Sequence, residues 1–194
     1  MTSIGLENEL KVLINAETYK KLLLSAHPLK KKIQENYYFD TEDYKLSREK
    51  KTLRIRNEKN HYILCLKIGW KKDALIHTSQ EIEVELTESD VNRIFENPPI
   101  VTDFLPLEIF QNERPVLLGK IKNERTVIEI FNGILAEIDK THFPNGISYE
   151  MEVENISESQ GMEILKHMEL KGYPYIFNKK SKYQRFVEGI KESP

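Results

Sequence analysis

Glu7, Glu9 and Lys11 occupy alternate positions near the start of the chain, flanked by Leu6, Leu10, Val12 and Ile14. A period of two describes a strand whose side chains leave on opposite faces. One face is then mostly apolar, and the other carries three charged groups in a row. The pattern recurs. Arg54 and Arg56 alternate with Leu53 and Ile55, Glu81, Glu83 and Glu85 with Ile82, Val84 and Leu86, and Glu150, Glu152 and Glu154 with Tyr149, Met151 and Val153. Glu137 and Asp139 alternate with Ala136 and Ile138, Lys67 ends the run from Tyr62 to Ile68, and Arg125 precedes Val127 and Glu129 at the same spacing. Like charges along one strand repel, so such strands share a sheet only where opposite charges or bound ions intervene. The chemistry implied is ion pairing and ion binding. Acidic and basic strands neutralise one another across a polar interior, with their apolar sides turned outward under helices. A single strand of this kind usually reads as a solvated sheet face. The recurrence, with acidic and basic strands segregated, favours the interior.

The elements that must position these residues are mainly strands. They are expected near 4–14, 34–40, 51–57, 61–69, 78–86, 115–131 (one piece or two), 134–142 and 147–155. Helical spacing of Tyr19, Leu22, Leu23 and Ala26 predicts a helix over 16–25. Thr87 caps a second through Phe95, Pro98 to Phe110 holds a short third, and Ser157 opens a capping box for a fourth that Gly172 stops. Tyr183, Phe186, Val187 and Ile190 place a last helix over about 179–191. Asn57 to His61 reads as a tight polar turn, and Trp70 falls in a loop after Ile68-Gly69.

Two Asn-Gly pairs mark hairpins. A two-residue turn at Asn145-Gly146 pairs Pro144 with Ile147 and sets Asp139 opposite Glu152 and Glu137 opposite Glu154, which requires a cation between the carboxylates. At Asn132-Gly133 a plain two-residue turn would send Arg125 to the apolar face. A three-residue turn, Phe131 to Gly133, ending in a bulge instead sets Arg125 opposite Asp139.

Composition narrows the class. The chain has 194 residues, enough for one domain, 1–194, with its own core. A formal net charge of -2 gives no strong nucleic-acid signal and no pull toward anionic membranes. No apolar run is long enough for a membrane-spanning helix. The single cysteine, Cys65, forms no internal disulfide and reads as a buried small hydrophobe, which makes a reducing, cytoplasmic setting the expectation. The sequence fixes no oligomeric state.

The order of these motifs resembles the CYTH superfamily, the triphosphate tunnel metalloenzymes, along nearly the whole chain. The family's Glu-x-Glu-x-Lys signature matches Glu7, Glu9 and Lys11, and its Tyr-Phe-Asp-Thr stretch matches Tyr38-Phe39-Asp40-Thr41. Its Leu-Arg-x-Arg strand matches Leu53 to Arg56. Lys67, the acidic strand at Glu81, Glu83 and Glu85, Arg125, Asp139, the strand Glu150 to Glu154 and the basic segment Ser181-Lys182-Tyr183 follow in order. The resemblance implies an α+β fold, mainly antiparallel: a closed eight-stranded β-barrel open as a tunnel, charged inside, with helices packed outside. It implies a triphosphate-bearing small molecule as substrate and Mg²⁺ or Mn²⁺ as cofactor.

Under that resemblance, Lys11, Arg54, Arg56, Lys67 and Arg125 are the catalytic and substrate-binding cations, with Lys180 and Lys182 as further substrate contacts. Arginine forks grip phosphate oxygens and lysines act as point charges. Carboxylates serve by holding hard cations that bridge to phosphate. Glu7, Glu9, Asp139, Glu150, Glu152 and Glu154 are the expected metal ligands, with Glu81, Glu83 and Glu85 in support. Hydrolysis of tripolyphosphate or an organic triphosphate is the leading expectation. Class IV-type adenylate cyclisation is the alternative within the same site, and a non-catalytic polyphosphate- or nucleotide-binding module is the alternative of another class. The histidines, His27, His61, His77, His142 and His167, show no ligand spacing, and there is no Walker-type phosphate loop.

Overall fold

A computed structural model describes residues 2–71, 75–106, 110 and 113–192. Alternating segments become the strands β1 (Thr2–Ile14), β2 (Lys30–Asp40), β3 (Lys51–Glu58), β4 (His61–Lys71), β5 (His77–Leu86), β6 (Val116–Phe131), β7 (Ile134–Phe143) and β8 (Gly146–Glu154). They pair antiparallel in the order β5-β4-β3-β2-β6-β7-β8-β1, and β1 pairs in turn with β5, which closes an eight-stranded barrel. β1 makes this closure by pairing with β5 over Thr2 to Glu9 and with β8 over Glu9 to Ile14. A short β9 (Tyr175–Phe177) adds to the far end of β1.

The helices lie where the apolar faces need covering. Leu10, Val12, Ile138, Met151 and Val153 on the outer face are buried under α1 (Ala16–Ser25) and α4 (Glu158–Leu170), through Leu22, Ile164 and Met168. Leu53, Ile55, Leu64, Leu66, Ile82 and Val84 are covered by α3 (Glu88–Glu96) through Val91 and Ile94, and by the 3-10 helix Pro98–Phe104. Each such side chain contributes about 1.5–3 kcal/mol on full burial. The expected capping box forms at Ser157 with Gln160, and the expected cap at Thr87 is also a full capping box, with Asp90. α5 (Lys182–Glu192) behaves differently. Its Tyr183, Phe186 and Val187 pack on Tyr38 and Ile121, which share the inward faces of β2 and β6 with the tunnel residues Gln34, Asn36 and Asn123. α5 therefore covers one end of the barrel.

Several expectations are corrected. The 115–131 segment, for which the sequence allows one piece or two, is one strand of 16 residues, β6. The last helix starts at Lys182, and residues 178–181 form an irregular segment lining the cavity, in which Asn178 Oδ1 accepts from the Lys180 N–H. The four-residue helix α2 (Lys45–Arg48) and β9 lacked the length to show as periodicity. Trp70 belongs to β4 rather than a loop, and its side chain lies outside the described residues, as do 107–109 of the segment expected to be helical to Phe110.

In the β7–β8 hairpin the turn is Pro144-Asn145. Phe143 pairs with Gly146, Asp139 with Glu150 and Glu137 with Glu152. Pro144 has no N–H for the ladder and so takes the turn, and Gly146 accepts φ of +140° just beyond it. The shift is two residues, which leaves every side chain on its expected face. In the β6–β7 hairpin the turn has two residues, with Asn132 at φ +49° and Gly133 at +76°. The extra residue sits further back, between Glu129 and Phe131. That bulge restores the pairing of Arg125 with Asp139 that the sequence called for.

Candidate active site in the tunnel

The inward faces of the strands enclose a cavity of about 460 Å³ lined by Glu7, Glu9, Lys11, Arg54, Arg56, Lys67, Glu81, Glu83, Arg125, Glu152 and Glu154, among others. Period two delivers these residues together: every one was expected on the charged face of its strand.

Arg125, on β6, is the centre of the ion-pair network. Its Nε donates to Asp139 Oδ1 at 2.8 Å and its Nη2 to Asp139 Oδ2 at 2.7 Å and Glu152 Oε2 at 2.6 Å, while Nη1 pairs with Glu137. Glu137 and Glu152 face each other across β7 and β8, and the cation this demands is Arg125 itself. Lys11 Nζ lies 3.0 Å from Glu9 and 3.1 Å from Glu152. Lys67 Nζ reaches Glu7, and Glu9 at 3.1 Å. Arg54 stands 3.6 Å from Glu81, and Arg56 pairs with Glu83. The Nε groups of Arg54 and Arg56 are buried with no hydrogen-bond partner, as is Ser79 Oγ. Orphaned donors beside a cavity have the chemistry to receive an anion's oxygens.

Other expected residues fall elsewhere. Asp139 and Glu150 are 0% and 1% exposed and lie behind the lining, already engaged. Glu150 holds Arg185 at 2.7 Å and Lys182 at 2.9 Å and accepts from Asn178. Lys182, from the first turn of α5, sits within 2.9 Å of Asp139 and 2.6 Å of Glu152. Lys180 lines the rim but is largely exposed and pairs with Glu188 at 2.8 Å. Glu85 is corrected: it lies outside the cavity, solvent-exposed and paired with His61. Cys65 is buried as expected, but its surroundings are polar, since its thiol donates to Glu81 at 2.6 Å. Burial pushes that thiol up to about 12, with Arg54 opposing.

The carboxylates differ in charge state. Burial would raise Glu152, yet Lys11, Lys182 and Arg125 hold it well below the usual range. Burial would likewise raise Glu9, and Lys11 and Lys67 hold it down. Glu154 goes the other way: burial, then Glu137 and Glu7, push it up to about 8.

Three kinds of residue escaped sequence reasoning. Glu137 was visible in the alternation but was not singled out. The neutral amides Gln34, Asn36 and Asn123 line the cavity and carry no charge to mark them. His77 lines it too, because the first residue of β5 shares the face of Ser79 and Glu81. The alternation of β5 continued backwards would have found it. Burial, then Lys11, lower the imidazole's pKa, against Glu9.

The CYTH domain profile matches residues 5–187. The chain belongs to the CYTH family. This CYTH protein is similar to YjbK of Bacillus subtilis (strain 168), which is named a candidate triphosphatase; the two are 24% identical over 169 residues, 84% of each chain. HpAC1 from Hippeastrum, described as a candidate adenylyl cyclase with a dominant triphosphatase activity, superposes with a TM-score of 0.82 at 25% identity, over 94% of this chain and 96% of that one. A Bacillus halodurans protein described as a candidate adenylate cyclase shares the fold, with a TM-score of 0.78 at 21% identity over 94% of this chain and 98% of its own.

Proposed function

We propose that this CYTH protein, acting as one unit over 1–194 in the cytoplasm, hydrolyses a triphosphate inside the tunnel with the help of a divalent cation. The observation that carries this reading is the closed barrel whose lining sets Lys11, Arg54, Arg56, Lys67 and Arg125 around one cavity with Glu7, Glu9, Glu152 and Glu154. The fit to a cation rests on Glu154. Burial, then the crowding of Glu137 and Glu7, push its pKa up to about 8, and it shares a hydrogen bond with Glu7. A carboxylate pair sharing a proton is a donor set that a hard cation suits. Glu7, Glu9, Glu152 and Glu154 would hold Mg²⁺ or Mn²⁺, which when bound neutralises phosphate charge and polarises the phosphoryl group.

The protein's own residues do the rest. Arg54, Arg56 and Arg125 grip non-bridging oxygens, and Lys11 and Lys67 add point charges along the chain of phosphates. Lys182 adds positive charge beneath them from α5. Asp139 and Glu150 orient Arg125 and Lys182, while Glu81 and Glu83 buttress Arg54 and Arg56. Water attacks the terminal phosphorus, the bond to the bridging oxygen breaks, and diphosphate leaves. The cations stabilise charge on the transferring group, and no side-chain nucleophile takes part.

Hydrolysis is favoured over cyclisation by the lining. The described rings there are Tyr38, His77 and Tyr183, and the tyrosines pack on each other with centroids 5.1 Å apart. Cyclisation needs a purine and a ribose held in near-attack geometry. The test is product analysis on tripolyphosphate, thiamine triphosphate and ATP with Mg²⁺ and with Mn²⁺. Phosphate release with tripolyphosphate in the lead is expected. Cyclic AMP from ATP in excess of phosphate would replace the reading with a cyclase, and binding without turnover of any of the three would replace it with a binding module.

A further inference from the structure

His77, Glu9 and Glu154 form one row across three strands. Glu9 is the Cα partner of His77 on the β5 side and of Glu154 on the β8 side. All three line the cavity. Directly paired residues on one face of a sheet hold their Cβ atoms about 4.5–5.5 Å apart. A cation seated on the Glu9 carboxylate would have the strand neighbour Glu154 on one side and the strand neighbour His77 on the other. His77 is half-buried at the point where β5 begins to pair with β1. Lys11 and Lys67, whose charges act on His77, are both turned onto carboxylates, at Glu9 and Glu152 and at Glu7 and Glu9.

We infer that His77 is a nitrogen ligand of the tunnel cation and sets its metal preference. The inference rests on the metal-dependent reading above and deepens it. Mg²⁺ takes oxygen ligands and sheds water reluctantly. Imidazole suits the transition metals, whose affinity for a mixed nitrogen and oxygen set rises from Mn²⁺ onward. A purely carboxylate set discriminates less. His77 therefore tilts this site toward Mn²⁺ and its heavier neighbours over Mg²⁺. No proton transfer by His77 is involved, since the ring acts through its lone pair alone.

The test uses the full chain, stripped with EDTA and titrated with Mn²⁺ as the probe, and reads nitrogen couplings by pulsed electron paramagnetic resonance. Wild type should show a coupled nitrogen whose frequency changes when the protein is made with ¹⁵N-histidine. His77→Gln should lose it, with Mn²⁺ affinity falling at least about tenfold, the loss that even outer-shell changes cause. Mg²⁺ affinity, read by competition, should change by less than about threefold, because Mg²⁺ is held by oxygen. Labelling of wild type keeps the test decisive if the variant folds poorly. Bound Mn²⁺ with no histidine nitrogen, or a coupling that survives in His77→Gln, overturns the role of His77 and leaves the carboxylate site standing. Failure of Mn²⁺ to bind wild type at all overturns both.

Discussion

Arg125 shows how much one side chain carries here. It is 11% exposed and contacts Asp139, Glu137 and Glu152 at once. A lysine has the charge but not the fork. Arg125→Lys should leave at least one of these carboxylates buried without its partner, at about 3 kcal/mol of stability, and should lower kcat/KM on tripolyphosphate by at least about a hundredfold, equivalent to ~2.7 kcal/mol of transition-state contact. Urea unfolding and initial rates check both, and a variant as stable and active as wild type would remove Arg125 from the centre of the site. Glu154 makes a prediction about pH. Its folded pKa of about 8 lies above the ordinary carboxylate value. Any stability from its retained proton is fully present below about pH 4.5 and is lost as pH rises toward 8, because the unfolded chain ionises first. In EDTA, Glu154→Gln and wild type should therefore have similar urea midpoints near pH 4 and diverge steadily toward pH 8, with the variant the more stable. Parallel curves would sink the assignment.

At the scale of elements, α5 links the scaffold to the site. Lys182 and Tyr183 are neighbours, one reaching the tunnel carboxylates and the other donating to Asp40. Asp40 also accepts from the backbone N–H groups of Thr41, Leu46 and Ser47, so the end of β2, α2 and α5 meet at one carboxylate. Tyr183→Phe removes a single donor while the three N–H groups remain. It should cost about 2 kcal/mol, the worth of a hydrogen bond to a charged group. Because Lys182 would then be less firmly seated, KM for tripolyphosphate should rise more than kcat falls. Denaturant midpoints and steady-state kinetics separate the two effects, and an unchanged KM would confine Tyr183 to stability. The two hairpins make a related point. Each reached the correct face by a different device from the simplest one, a proline in one turn and a displaced bulge before the other.

The whole molecule is a barrel whose inside would repel itself without matched charge, so ligation and stability are coupled. A cation bound to the native state raises the melting temperature by mass action. With saturating Mn²⁺ or Mg²⁺, wild type should melt higher than in EDTA. Glu7→Gln with Glu9→Gln should keep the fold, lose the metal-induced shift and lose hydrolysis. A double variant that still shifts and still turns over would remove Glu7 and Glu9 from the ligand set. The sequence by itself determined the strands and which side chains share a face, because a period of two is local and a two-residue register slip leaves it unchanged. That is why Glu7, Arg54, Arg125 and Glu152 are legible in the sequence. Tertiary structure alone decided the depth of each residue along the tunnel. It placed Asp139 and Glu150 behind the lining, Glu85 outside it and His77 within it, because depth follows from strand stagger and closure, and these join residues far apart in the chain. It also decided charge state, since Glu152 and Glu154 are the same residue type two positions apart, yet the closed barrel buries both and brings Lys11, Lys182 and Arg125 to the first but Glu137 and Glu7 to the second.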